Sequence, residues 1–224
     1  MQESETPAGG VFITLEGGEG AGKSTQVSRL AARLRARTNH PVVTTREPGG
    51  SPYAEEIRAA VLAGAAKPYG PFAEALLFSA ARLDHLDRLI RPALVRGETV
   101  ICDRFIDSTR AYQGAAGGLD PAVLNALERV VVGRTRPDLT LILDLPPETG
   151  LARAAARGEG QDRFEAEALS FHARLRAAFL DIAAREPGRC AVIDAAAEPD
   201  AVEAAIAATI AERLPALAGE GPRG

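Results

Sequence analysis

Eight consecutive residues near the start of the chain, Gly17, Gly18, Glu19, Gly20, Ala21, Gly22, Lys23 and Ser24, fit the pattern G-x-x-x-x-G-K-[ST]. Glycines at this spacing let backbone N–H groups turn inward around a run of phosphates. Lys23 can reach the outer phosphates, the Ser24 hydroxyl can ligate magnesium, and Thr25 follows directly. An apolar run precedes the loop and a helical pattern follows it, and a helix N-terminus itself favours anions. The chemistry implied is the holding of a nucleoside triphosphate. Lysine occurs only at positions 23 and 67 among 26 basic residues, so the one in this loop carries more weight than any single arginine.

Four further groups could do chemistry beside it, and each has a plain structural alternative. Thr45, Arg46, Glu47, Pro48, Gly49 and Gly50 form one run. Its arginine could clamp a second, acceptor phosphate bidentately, or the Pro-Gly-Gly could be a simple turn. Arg58 is a weaker candidate for the same phosphate. Asp103 and Arg104 precede a run that ends Ala111, Tyr112, Gln113, Gly114. The aspartate could orient a magnesium-bound water or the attacking oxygen with Arg104 beside it, or the two could be a structural ion pair. Phe78 and Arg82 are four apart and share a helix face. That face suits stacking on a flat base, although a phenylalanine in an apolar stripe is more often core. Arg153, Arg157 and Arg163 fall in a glycine-containing segment, residues 150–164. It reads either as a solvated face or as a hinged lid that carries an arginine onto a transferring phosphoryl group.

These residues need elements to hold them. Short β-branched runs at 11–16, 42–46, 99–103, 139–144 and 190–194 read as strands, bounded by Gly, Pro or charge. Between them, helical periodicity runs over 23–37 (Val27, Leu30, Leu34), 72–95 (Leu76, Leu77, Leu83, Leu86, Ile90, Leu94) and 164–185 (Phe171, Leu175, Phe179, Ile182). Alternating strands and helices predict an α/β fold, a parallel five-stranded sheet covered by helices on both faces. Four of the strands end in polar residues, Glu16, Arg46, Asp103 and Asp144, on the edge where open parallel sheets bind ligands.

The 224 residues suit one domain, expected over 11–214 with a small mobile lid at about 150–164. Tails at 1–10 and 215–224 are expected to be disordered or frayed. A net charge of −4 disfavours general binding to nucleic acid or an acidic membrane. No apolar run approaches the roughly 18 residues of a membrane span, and the polar, acidic start lacks a signal-peptide pattern. Cys102 and Cys190 lie in apolar strand-like runs and read as small core residues. A cytoplasmic protein is expected.

Taken together, the chain resembles the bacterial thymidylate kinases over nearly its whole length. The resemblance is carried by the phosphate loop, by the run from Thr45 to Gly50, by the helix from Glu74 to His85, by Asp103-Arg104-Phe105 with Ala111-Tyr112-Gln113-Gly114, and by Arg136-Pro137-Asp138-Leu139-Thr140. It implies an enzyme of the P-loop NTPase type, a nucleoside monophosphate kinase that transfers a phosphoryl group from ATP to dTMP with Mg²⁺ and is usually a homodimer. It implies that residues 17–25 bind ATP, with Glu19, Lys23 and Ser24 serving the nucleotide and its magnesium. Arg46 and Arg104 would hold the dTMP phosphate, with Arg58, Glu47 and Pro48 beside them. Phe78 would stack on thymine, Arg82 and Gln113 would read its edge, and Thr109 and Tyr112 would line the sugar and base pocket. Ser24 and Asp103 would hold the metal, partly through water, with Glu19 helping to position that water or the acceptor. Phe105 stands where Tyr or His is common in the family, and Thr109 where Ser is common.

The family has two designs, with the catalytic arginine in the phosphate loop or in the lid. Gly18, Glu19, Gly20 and Ala21 include no arginine, so the resemblance is to the lid-arginine design, with Arg157 favoured and Arg153 second. A guanine-reading Asn-Lys-x-Asp is impossible, because Asn39 and Asn125 are the only asparagines and neither precedes a lysine. A different nucleotide kinase, a deoxynucleoside kinase or a regulatory ATPase remain the alternatives on sequence.

Overall fold

The computed structural model describes residues 9–37, 41–156, 164 and 167–218. Five strands, β1 (Phe12–Glu16), β2 (Val42–Arg46), β3 (Thr99–Asp103), β4 (Leu139–Asp144) and β5 (Cys190–Asp194), form one parallel sheet in the order β2-β3-β1-β4-β5. All five expected strands are present, and β1 begins one residue later than expected. The first helices are α1 (Lys23–Arg37), α2 (Pro52–Leu62), α3 (Gly70–His85), α4 (Arg91–Val95) and α5 (Ile106–Thr109). They are followed by α6 (Pro121–Val131), α7 (Pro147–Ala156), α8 (Leu169–Arg185), α9 (Pro199–Arg213) and α10 (Pro215–Ala218).

The central strand β1 explains the layering. Its side chains alternate between the two faces, and every one is buried. Ile13 and Leu15 enter a cluster with Leu30 and Leu34 of α1, Leu141 of β4 and Val202, Ile206 and Ile210 of α9. Phe12 enters the other face with Leu86, Ile90, Val100 and Phe105. A strand buried on both sides reads as a continuous apolar run, which is why the pattern was legible. Both cysteines are free and buried, as expected.

Three expectations are corrected. The helix expected over 72–95 is not continuous: α3 ends at His85, Leu86–Ile90 form a π-turn, and α4 resumes at Arg91. Pro92 has no N–H for the carbonyl four residues back, and the Arg91 N–H bonds Leu86 O instead, five residues back. Secondly, Pro215–Ala218 of the expected C-terminal tail are a helical turn, with Leu217 only 4% exposed in the α1–α9 cluster. Residues 219–224 lie outside the described residues. Gly10, expected in the N-terminal tail, is packed: its N–H bonds Leu94 O at 2.8 Å. Thirdly, α8 begins at Leu169 rather than at 164.

The loop after β3 is braced from below. Asp107, fully buried, accepts from Arg189 Nη1 at 2.7 Å and Nη2 at 3.0 Å, and from Arg110 Nη1 at 3.1 Å. This network fixes the π-segment Arg110–Ala116, in which the consecutive residues Ala111, Tyr112, Gln113 and Gly114 are all buried.

Candidate active site

The phosphate loop leaves the carboxyl end of β1. Gly17, Gly20 and Gly22 have φ of 138°, 66° and 83°, a region that residues with a Cβ seldom occupy. At Gly20 a second constraint applies: a Cβ there would lie 2.0 Å from Gly150 O, and one at Gly150 would lie 2.3 Å from Glu19 O. The loop and the first turn of α7 therefore pass backbone to backbone. Gly150, expected as the start of a lid, is a helical residue that seats the phosphate loop.

Lys23 folds over the loop, donating to Gly18 O at 2.7 Å and Gly17 O at 3.2 Å. Burial and the Arg104 guanidinium push its ammonium down to about 8, against the attraction of Glu19 and Asp103. Ser24 Oγ donates to Asp103 Oδ2 at 2.6 Å, which joins the expected metal-binding pair across the tips of α1 and β3. A hydroxyl and a carboxylate are hard oxygen donors of the kind Mg²⁺ takes alongside phosphate oxygens.

Glu19 accepts from Arg104 Nη2 at 2.9 Å and from the Tyr112 hydroxyl at 2.5 Å. Burial alone would raise its pKa, but Arg104, Lys23 and the Tyr112 bond outweigh it and hold the carboxyl at about 2. Arg104 also donates to Gly17 O at 3.0 Å and lies 5.1 Å from the Tyr112 ring centroid. Its φ of 69° is an outlier for so bulky a residue. The turn is held by Glu16, whose carboxylate accepts from Phe105 N at 2.7 Å, Ser108 N at 3.1 Å and Ser108 Oγ at 2.6 Å. Burial and the neighbouring Asp107 raise the Glu16 carboxyl to about 7, against the Ser108 bond. Sequence reading noted Glu16 only as a polar strand end.

Opposite the phosphate loop stands the run after β2. Arg46 Nη2 donates to Glu55 Oε1 and Oε2 at 2.9 and 3.0 Å, and Gly50 N donates to the same carboxylate at 2.9 Å. Arg58 Nη1 donates to Pro48 O at 2.8 Å. Glu47, expected beside the acceptor nucleotide, lines the cleft and also holds two side chains: it accepts from Arg82 Nε at 2.7 Å and pairs with His85 Nδ1 at 3.1 Å. Arg82 Nη2 donates to Phe105 O at 3.1 Å and Thr109 Oγ1 at 3.0 Å. Gln113 Nε2 donates to Glu74 Oε2 at 3.1 Å. Phe78, for which the sequence favoured a core position, is half-buried and faces the cleft.

The cleft between these walls has a volume of about 330 Å³, within the range of small-ligand sites. It brings together residues 19–25, Arg46, Glu47, Pro48, Arg58, Phe78, Arg82, Asp103, Arg104, Thr109, Tyr112 and Gln113. Gly17 and Gly18 sit behind it and supply carbonyls to Lys23. Leu62, Ser108 and Phe164 also line the cleft, and none was singled out from sequence. Two expected residues do not join it. Asp144 is taken by Arg176 in a bidentate pair at 2.7 and 2.8 Å. Arg153 donates to Ala195 O at 2.8 Å and Ala196 O at 3.2 Å, which ties α7 to the loop after β5. Arg157 and Arg163 lie outside the described residues.

Comparison with known proteins agrees with this architecture. A sequence model of the thymidylate kinase family matches residues 15–206. The chain is 60% identical over 205 residues to the thymidylate kinase of Caulobacter vibrioides, covering 92% of this chain and 98% of that protein. It is 59% identical over 215 residues to that of Rhodopseudomonas palustris, covering 94% and 93%. The crystal structure of thymidylate kinase from Ehrlichia chaffeensis superposes with a TM-score of 0.71 at 33% identity, over 90% of this chain and 99% of that one.

Proposed function

The chain belongs to the thymidylate kinase family, and we propose that it transfers the γ-phosphoryl group of ATP to the phosphate of dTMP, giving dTDP and ADP. The observation that carries this reading is a single cleft with a triphosphate-binding loop on one wall and, on the other, two arginines beside an aromatic plane and polar base readers. Residues 17–25 hold ATP. Arg46, Arg104 and Arg58 take the acceptor phosphate, Phe78 stacks on the base, and Tyr112 and Thr109 enclose the nucleoside.

The acceptor is already an anion, so no strong base is needed. Two negative groups must be brought into line, and catalysis is positioning and charge neutralisation. Lys23 neutralises the outer phosphates of ATP, and Glu19 holds Arg104 toward the acceptor. Ser24 and Asp103 would hold Mg²⁺, which supplies charge neutralisation on the phosphate oxygens when bound. Arg157, in the sequence Ala-Arg-Gly-Glu, is the arginine we assign to the transferring phosphoryl group.

We read the protein as one nucleoside monophosphate kinase domain over residues 11–214, extended by the packed Gly10 and Leu217 at its ends, a cytoplasmic enzyme and a homodimer. No helix among the described residues is long and apolar enough to cross a membrane. The dimer reading is supported by α3, where Phe72, Leu76 and Leu83 are 46%, 43% and 42% exposed on an otherwise amphipathic helix.

A coupled assay tests the function. With ATP and Mg²⁺, ADP release should depend on added dTMP, with dUMP, dCMP and thymidine run beside it. ADP release without any monophosphate would favour the ATPase alternative, and thymidine as the better acceptor would favour a nucleoside kinase.

A further inference from the structure

At successive turns of α3 stand Glu74, Phe78 and Arg82; Phe78 and Arg82 line the pocket, and Glu74 meets it through Gln113, which lines it too. Positions i, i+4 and i+8 share one helix face. Phe78 offers a plane and Arg82 offers donors. Glu74 lies beneath, buried, and receives the Gln113 amide nitrogen at 3.1 Å.

We infer that Glu74 is a positioning residue that sets base specificity: by holding the amide of Gln113, it makes the pocket accept a 4-oxo pyrimidine and reject a 4-amino one. The inference rests on the reading of this cleft as the acceptor-nucleotide site. A glutamine amide has a donor end and an acceptor end of nearly the same shape, so its neighbour decides which end faces a ligand. Turned the other way, Gln113 would set its carbonyl oxygen against a carboxylate oxygen. Its Nε2 therefore faces Glu74, and Oε1 is the atom left for the base. Among the described residues nothing donates to that oxygen.

The neighbouring reader has fixed polarity too. A guanidinium has only donors. Arg82 Nε is taken by Glu47 and Nη2 by Phe105 O and Thr109 Oγ1, which leaves Nη1 without an acceptor among the described residues. The pocket thus presents a donor from Arg82 and an acceptor from Gln113. Thymine and uracil match this with the O4 carbonyl and the N3–H. Cytosine reverses both groups, with an amino donor at C4 and a bare N3. Pockets built on buried hydrogen bonds discriminate strongly against a partner that leaves them unpaired, by about 10⁴-fold in favourable cases.

The test compares dTMP with 5-methyl-dCMP, which differ only in the polarity at C4 and N3. Specificity constants for both are measured with the wild type, Glu74→Gln, Gln113→Ala and the double variant. The wild type should prefer dTMP by at least about 10²-fold. Glu74→Gln lets the amide of Gln113 turn over, so this ratio should shrink about tenfold or more while KM for ATP stays within twofold. On the Gln113→Ala background the same substitution should leave the ratio unchanged, because the two residues act as one unit. An equal loss on both nucleotides, or an undiminished ratio, overturns the assignment. A wild type that phosphorylates both nucleotides equally overturns it without recourse to any variant. A wild type inactive on dTMP overturns the acceptor-site reading and this inference with it.

Discussion

Lys23 should titrate within reach of ordinary assays, and ATP binding should report it. Its ammonium lies over the carbonyls of Gly17 and Gly18, is almost fully buried, and is held down at about 8 by burial and by Arg104. Bound triphosphate adds negative charge beside it, so the pKa in the complex is higher than in the free enzyme. Binding must then take up a proton wherever the pH exceeds the free-enzyme value, and affinity must fall as pH rises. Affinity should be level up to about pH 7.5, roughly tenfold weaker at pH 9 and about 30-fold weaker at pH 9.5. No cysteine or buried tyrosine in the neighbourhood blurs this window. Burial raises the Tyr112 hydroxyl well above 10 and pushes the Cys190 thiol up to about 12, while Cys102 is raised likewise. Calorimetry with a non-hydrolysable ATP analogue, run in two buffers of different ionisation heat, gives both affinity and proton uptake. Uptake should pass half a proton near pH 8 and approach one at pH 9. Lys23→Arg stays charged throughout and should remove the slope. Level wild-type affinity to pH 9.5, or binding without proton uptake, would refute the reasoning.

Two further predictions concern parts of the molecule away from that loop. Arg157→Ala should lower kcat by about 10³-fold or more while the dissociation constant for dTMP moves only a few-fold; equal loss of both, or no loss, counts against its role at the transferring phosphoryl group. Leu76→Glu, a charge set into the exposed apolar face of α3, should convert a dimer to a monomer in sedimentation velocity, and a wild type that is already monomeric at micromolar concentration would remove the dimer reading.

What could be read from sequence was what is local. The strands were legible because parallel strands covered on both faces spell themselves as short β-branched runs. The phosphate loop was legible because its chemistry depends on spacing within eight residues. The pairings of the carboxylates that arm the site were not. Glu16 reaches Phe105, Glu47 reaches Arg82 and Glu74 reaches Gln113, pairs separated by 35 to 89 positions that only the folded sheet edge brings together. Apolar periodicity misled in one place for a related reason. Leu76 and Leu83 have the spacing of a core stripe, yet they face outward, because a helical stripe records an apolar partner without saying whether that partner belongs to the same chain. Asp144 stands at a strand end and Arg153 in the segment expected as a lid, and sequence could not show that Arg176 holds the one and carbonyls after β5 the other.

The paired carboxylates also explain how one cleft can hold several arginines and still treat them differently. Unpartnered cations packed this closely would repel one another, and Arg46, Arg82 and Arg104 each carry a glutamate. The pairs differ in exposure. Arg46 and Glu55 have side chains 53% and 42% exposed, and a pair so open to water is worth no more than about 1 kcal/mol. Arriving phosphate can draw that guanidinium away at little cost. Arg82 and Glu47 are 7% and 5% exposed, and His85 closes the second oxygen of the carboxylate. Breaking such a pair leaves a buried charge without its partner, which costs several-fold more. Arg104 lies between these extremes, with 17% and 13% exposure in its pair with Glu19 and a further bond to Gly17 O. Burial therefore sorts three chemically identical side chains: on the proposed assignment, Arg46 is free to follow a phosphate, Arg104 moves with the phosphate loop, and Arg82 is held rigidly as a reader of the base edge.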